Sequence, residues 1–256
     1  MSGISSVDSM NMYQSYSQLS SGKRIVTAAD DPAGMVIAKK LESQSNGYDV
    51  AKDNAANSKN MVNVAEGALS SISDSLQRMR ELSVSAKNTA VYGDSQREAM
   101  QAEIDELKKG INDVIKNTQF NTHNLLDGSV GESHVASNPD GTGMDIEMPS
   151  YSLASLGIED YDVTGDFSLE TLDKAIESIT AERGKLGAVS NRLDNAMNFN
   201  SYASYNLTES QSRIEDLDIP KAISDMKKDN LIEQYKIMMM KKKMEEDKEK
   251  FNTMLF

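Results

Sequence analysis

The chain has 256 residues and a net charge of −13, long enough for one or two domains and too acidic for non-specific binding to DNA or an anionic membrane. Apolar residues make up 38% and aromatics 5%, with no Trp; this lies below the roughly 45–50% apolar share of a compact globule and points to thin helical packing, each helix burying a narrow stripe. Zero Cys and two His exclude disulfides, thiolate metal sites and a Cys nucleophile and leave little room for imidazole chemistry, while no apolar run approaches the ~20 residues that cross a bilayer.

The first residues, Met1 to Asp8, carry neither the basic nor the apolar stretch of a cleaved secretory signal, so none is expected. Met61, Ala65, Leu69, Ile72, Leu76, Met79 and Leu82 recur every three or four residues, which places them on one helical stripe. That helix is predicted from about Asp31 to Asn88, ~87 Å at ~1.5 Å per residue, with Gly34, Gly47 and Gly67 tolerated inside it. Its start carries a carboxylate cap, Asp30 or Asp31, before Pro32 at the first helical position. A cation site at these carboxylates is the weaker reading, since no further oxygen ligands follow at EF-hand spacing. A helix of this length needs cover from other long helices.

Tyr92 to Ser95 break the run, and Asp94 or Ser95 can cap a second helix that carries Ile104, Leu107, Ile111 and Val114 to about Thr118. The next stretch holds six glycines and two of the four prolines, and Met144 to Met148 alternate as a short strand after the turn signal Pro139-Asp140-Gly141. His123 and His134 flank this region and read as solvated loop residues. Leu169, Leu172, Ile176, Ile179, Leu186 and Leu193 restore helical spacing from Ser168 to about Leu217. Pro220 marks a joint, and a last helix runs from about Lys221 to Glu249. The apolar stripe Ile223, Met226, Ile232, Tyr235 and Met239 stops before residues 241–250, KKKMEEDKEK, where nine residues in ten are charged. Burying unpaired charge costs several kcal/mol per ion, so this segment faces water, lines a hydrated channel or is extensively paired.

Short connections make neighbouring helices antiparallel. The expected fold is therefore mainly α: an elongated antiparallel bundle of long helices, its chain ends side by side, with a small β-hairpin excursion at the far tip. No nucleophile–base pair, phosphate-cradling glycine loop or catalytic carboxylate constellation can be placed, so no enzyme and no cofactor or metal are expected. Asn206-Leu207-Thr208 fits a glycosylation sequon but sits mid-helix, where no modification is expected.

Three blocks, in order, resemble bacterial flagellin. The first is Leu19-Ser20-Ser21-Gly22-Lys23-Arg24-Ile25 with Ala28-Ala29-Asp30-Asp31-Pro32-Ala33-Gly34. The second is Leu76-Gln77-Arg78-Met79-Arg80-Glu81-Leu82-Ser83-Val84, with Gln101 to Ile104 and Thr118 to Asn121 downstream. The third is Leu186 to Leu193 followed by Asn206-Leu207-Thr208-Glu209-Ser210-Gln211-Ser212-Arg213-Ile214. The resemblance implies a structural subunit that is exported through the flagellar type III channel and polymerises outside the cell into the helical filament of the flagellum. It implies an inner helix and joint over 1–30, an outer helical core over 31–126 and 167–218, a variable segment over 127–166, and an inner helix over 219–256. It places Arg24, Asp30 and Asp31 in the joint and Leu69, Ile72, Leu76 and Met79 in the packing stripe.

The resemblance also maps Gln77, Arg78, Leu82 and Glu103 onto the surface read by Toll-like receptor five. Arg78 and Leu82, four apart on one face, would offer a charge and an apolar anchor together; packing between subunits is the competing reading of the same block. Implied partners are further copies of the chain, an export chaperone on the last helix (with Met238 to Met240 as a candidate contact) and the hook-junction and filament-cap proteins. Neither nucleic acid nor membrane insertion is implied. The chain departs from the family at both ends, with only about twenty residues before the Ser-Ser-Gly block and a charged last helix. These departures leave open a secreted flagellin-like monomer that signals or acts as a decoy. Hook–filament junction proteins share the Ser-Ser-Gly and Asp-Asp-Pro blocks, but the Gln-Arg-x-Arg-Glu-Leu and Asn-Leu-Thr to Arg-Ile blocks favour flagellin.

Overall fold

The structure is a computed structural model that describes residues 2–255, with side chains placed for residues 12–250. In chain order the described elements are α1 (Ser2–Ser21), α2 (Pro32–Ala86), α3 (Asp94–Asn117), β1 (Gln119–Phe120), β2 (His123–Asn124), β3 (Glu132–Val135), β4 (Met144–Glu147), α4 (Leu169–Glu215) and α5 (Ile219–Leu255). The fold is mainly α with small antiparallel hairpins. The chain divides into two compact units, one made of the residues up to Ser45 and from Tyr205 onward, the other of Asn46–Ser204.

The unit Asn46–Ser204 holds a continuous core. From Val62 to Ala86 every turn of α2 sends a residue inward, and Leu69, Ile72, Leu76 and Met79 are fully buried against Ile104 and Ile111 of α3 and Leu172, Ile179, Leu186 and Leu193 of α4. At ~25 cal/mol per Å2 of apolar area removed from water, each such side chain contributes about 1.5–3 kcal/mol. The antiparallel register of α2 and α4 is pinned by cross-helix ion pairs at three levels: Lys59–Asp194 at 2.6 Å, Glu66–Arg183 at 2.8 Å and Arg80–Asp173 at 2.6 Å.

Helix starts follow capping chemistry. The Gly34 N–H donates to Asp31 Oδ1 at 2.9 Å, so Asp31, not Asp30, caps α2, and Pro32 takes the first position. α3 differs from expectation: its cap residue is Gly93, without a side-chain bond. Asp94 instead sits in the first turn, where its charge meets the positive end of the helix dipole and the Arg97 guanidinium at 2.6 Å. Ser168 Oγ accepts from the Glu170 N–H at 3.2 Å ahead of α4. Asp218 Oδ1 accepts from the Lys221 N–H at 3.1 Å, so α5 begins at Ile219 with Pro220 tolerated in its first turn.

The middle segment is not at a far tip. β3 and β4 pair antiparallel, with Val135 opposite Met144 and His134 opposite Asp145; Val135 and Ile146 point into the core and the alternate residues outward. The hairpin's turn lies along α2 and α4, where the Asn54 amide donates to the Ala136 carbonyl at 3.2 Å, the Asn200 amide donates to the Ser137 carbonyl at 2.9 Å, and Pro139 rests on Gly47. The loop that follows buries Leu156, Ile158, Tyr161 and Val163. It is held to α3 by Val163 N–H donating to Gln101 Oε1 at 2.8 Å and Lys108 Nζ donating to the Tyr161 carbonyl at 2.9 Å. The inward residues need apolar cover, which outweighs the loop character of the intervening glycines. β1 and β2, unforeseen from spacing, form a two-residue hairpin with Asn121 and Thr122 at φ 48° and 68°, the left-handed pair that matches strand twist.

The other unit has little core of its own. Its buried apolar residues, among those described, are Ile25 and Ala38. α1 packs against α5, but Leu231, Ile232, Tyr235, Ile237, Met238, Met239, Met240 and Met244 of α5 are exposed. Of the expected terminal stripe, Ile223 and Met226 are half-buried, whereas Ile232, Tyr235 and Met239 lie open. Residues 241–250 are exposed throughout, so their charges stay hydrated.

Candidate functional site

The joint between α1 and α2 is built onto the joint between α4 and α5. Gly22 turns the chain at φ 70° with open space where a side chain would stand, so the backbone angle is what selects glycine there. The next residues form a short antiparallel bridge, Lys23 opposite Asp216. The Arg24 N–H donates to the Glu215 carbonyl at 2.6 Å, and the Leu217 N–H donates to the Gly22 carbonyl at 2.9 Å.

Around that bridge, Lys23 Nζ pairs with Glu215 Oε1 at 2.7 Å; the Glu215 side chain is 7% exposed and that of Lys23 41%. The Lys23 ammonium, then the Gln211 amide, hold the Glu215 carboxyl below its usual value despite burial. The Arg24 guanidinium donates to the Ile214 carbonyl. Asp30 Oδ2 accepts from the Thr27 and Val26 N–H groups at 2.8 and 2.9 Å, and Oδ1 accepts from the Gln14 amide of α1 at 2.6 Å. The backbone donors, Thr27 first, lower its pKa. Asp30 thus closes the turn that Asp31 then converts into a helix. Gly34 is not merely tolerated: a Cβ there would stand 2.3 Å from Asp31 Oδ2 and 2.8 Å from Ile25 Cδ1. Spacing alone missed Lys23, Gln14 and Glu215, because a bridge between positions so far apart leaves no periodic trace.

A second surface lies on α2 and α3. Gln77, Arg78 and Glu103 are exposed. Arg78 Nε pairs with Glu103 Oε1 at 2.8 Å and a terminal guanidinium nitrogen with Glu81 at 3.2 Å; Glu103, then Glu81, raise the Arg78 pKa. Leu82 is only 7% exposed and packs into the core. It does not supply the apolar anchor expected beside Arg78, because it follows Met79 on the buried stripe, while Arg78 turns toward α3. Arg80 reaches the other way, to Asp173 of α4, so alternate arginines of this block tie α2 to both neighbours.

His134 is not a solitary loop residue: its Nδ1 lies 2.6 Å from Asp145 Oδ1 across the hairpin, and Nε2 lies 3.2 Å from the Gly141 carbonyl. Asp145, first, raises its pKa. No group of three or more metal-ligating side chains occurs among the described residues, and no described helix is long and apolar enough to cross a membrane.

The Asn46–Ser204 unit has a filled core, and in the other unit α1 packs against an α5 whose apolar residues stand exposed; together they define a mainly helical protein. Residues 4–130 match the family model of the bacterial flagellin N-terminal helical region and residues 169–245 that of the C-terminal helical region; the chain belongs to the bacterial flagellins, a family of structural proteins. It is 33% identical to a flagellin of Bacillus subtilis over 85% of this chain and 84% of that one. It is also 33% identical to the flagellar filament 33 kDa core protein of Treponema phagedenis over 88% and 86%. The crystal structure of Bacillus cereus flagellin superposes with a TM-score of 0.51 at 26% identity, covering 57% of this chain and 88% of that chain. A putative flagellar hook-associated protein of Vibrio parahaemolyticus shares the fold, with a TM-score of 0.63 at 17% identity over 73% and 100%.

Proposed function

We propose that this chain is a structural subunit that polymerises into the flagellar filament, with α1 and α5 of each copy covered by α1 and α5 of its neighbours. The observation that carries the reading is the contrast in burial: the Asn46–Ser204 unit satisfies its own apolar stripe, whereas α5 leaves Leu231, Tyr235 and Met238 in water. Exposed apolar surface on this scale marks an interaction site, and heterologous contacts that do not close generate a helical fibre. The relatives named for filament core proteins agree with it.

The rest of the reading follows from this assignment. The subunit acts outside the cell and without enzymatic activity. It is guided by an export chaperone on α5 and placed between hook-junction and cap proteins. The joint around Arg24, Asp30 and Asp31 sets how the terminal helices leave the core. In the free monomer Gln77, Arg78 and Glu103 offer a polar surface to Toll-like receptor five, with Leu82 supporting it from beneath. The test is seeded polymerisation of purified protein followed by electron microscopy, wild type against the double variant Leu231→Asp, Tyr235→Asp. Wild-type filaments, and a variant that melts normally but stays monomeric, are expected. Wild type that remains monomeric after seeding would overturn the assignment in favour of a non-polymerising secreted flagellin-like protein.

A further inference from the structure

Sixteen methionines are present, with no Cys and no Trp, so thioethers are the side chains most open to two-electron oxidants such as peroxide. Their placement is uneven. Met79 and Met148 are buried, and Met61, Met100, Met144 and Met197 pack partly against the core. Met12, Met35 and Met226 are half-buried. Among the described residues, those that stand open are Met238, Met239, Met240 and Met244, from 50% to 66% exposed, all on α5. Met239 and Met240 share a shallow surface depression with Lys242, Lys243 and Glu246, open to a small oxidant from solvent.

We propose that Met238, Met239, Met240 and Met244 form an oxidative modification site: their conversion to sulfoxides keeps the free chain out of the polymer, and assembly shields them. The inference rests on the filament reading above. In the reaction with peroxide, a sulfur lone pair attacks one peroxide oxygen, and the S–O bond forms as the O–O bond breaks. The departing hydroxide takes the proton of the new S–OH group and leaves as water; the sulfur gives up two electrons and the peroxide is reduced. The product is a polar, chiral acceptor in place of a flexible apolar group. Met240 and Met244, four apart, lie on one face of the helix, so two acceptors enter the same contact, and an acceptor buried without a donor costs the desolvation of that group.

The experiment treats monomer and preformed polymer with limiting hydrogen peroxide, maps added oxygen by peptide mass spectrometry, and measures the critical concentration for seeded growth by sedimentation. Expected are oxygen on 238–244 in the monomer before Met79 or Met148 reacts, protection of the same residues in the polymer, and a critical concentration raised about tenfold or more, the equivalent of ~1.4 kcal/mol. Treatment of the oxidised chain with methionine sulfoxide reductase is expected to restore growth, and reduction of the sulfoxides without recovery of growth overturns the proposal. Oxidation at 238–244 that leaves growth unchanged, or oxidation spread evenly over the chain, overturns the proposal alone. Wild type that does not grow before any oxidation overturns the filament reading, a result distinct from both.

Discussion

Three glycines interrupt α2, and the structure separates them by what a methyl group would meet. At Gly67 nothing stands within 4 Å, whereas at Gly47 a Cβ would come within 2.9 Å of Pro139 Cβ and 3.5 Å of Pro139 Cα. In a helix interior Ala is favoured over Gly by about 0.8–1 kcal/mol. Gly67→Ala realises that gain, which is ~2–4 °C in melting temperature for a unit of this size. Gly47→Ala has the same gain, offset by about 1–3 kcal/mol of overpacking because a proline ring cannot swing aside and the hairpin behind it is anchored through Ala136 and Ser137. The two variants are therefore expected to differ by about 1–3 kcal/mol, with Gly67→Ala above wild type and Gly47→Ala at or below it. Melting followed by circular dichroism on monomer, at matched pH and salt, reads the difference. Equal stabilisation by both would mean that the hairpin is not seated on α2, and the account of the middle segment would fail with it.

Leu76 is fully buried among α3 and α4, so Leu76→Asp places an unpaired charge there at several kcal/mol against a total stability of about 5–15 kcal/mol; unchanged helicity and melting in that variant would contradict the core assignment. Because its folded pKa is lowered, Glu215 contributes stability that is present above the ordinary carboxylate value of ~4.3 and lost as pH falls through the folded value. Glu215→Gln should then cost about 1 kcal/mol at neutral pH, the partner Lys23 being partly solvated, and should flatten the acid limb of the melting-against-pH curve; parallel curves for the two proteins would dismiss the pair as a stabilising contact. Arg78→Ala should leave melting essentially unchanged, since exposed pairs contribute little, and should weaken receptor binding measured with purified ectodomain; equal affinity of variant and wild type would remove Arg78 from the partner surface.

Local rules carried the long elements. The stripe from Met61 to Leu82 announced α2 because its period is set within one helix, and the Asp31–Pro32 start announced the cap because both groups are adjacent in sequence. What spacing could not show depends on distant partners. Leu82 fits the same period as Met79, so its burial follows from the stripe, but the resemblance to a receptor-reading block drew attention to its proximity to Arg78 instead. The seat of the hairpin was hidden because Gly47 and Pro139, or Asn200 and Ser137, meet only after α2 and α4 have paired. The Lys23–Glu215 contact was hidden for the same reason, and the exposed face of α5 because periodicity reports which side of a helix is apolar and not what covers it.

Pairing of Arg24 with Glu215 and of Gly22 with Leu217 has a temporal consequence. Nearly the whole polypeptide must have emerged before this knot can be tied, and closing so long a loop is slow and entropically costly. The central core, built from nearer contacts, can form first, while a chain that stops short of residue 215 lacks the partner strand altogether. The knot is therefore a late contact in folding, and the joint is completed only when a segment about 190 residues further along the chain has arrived.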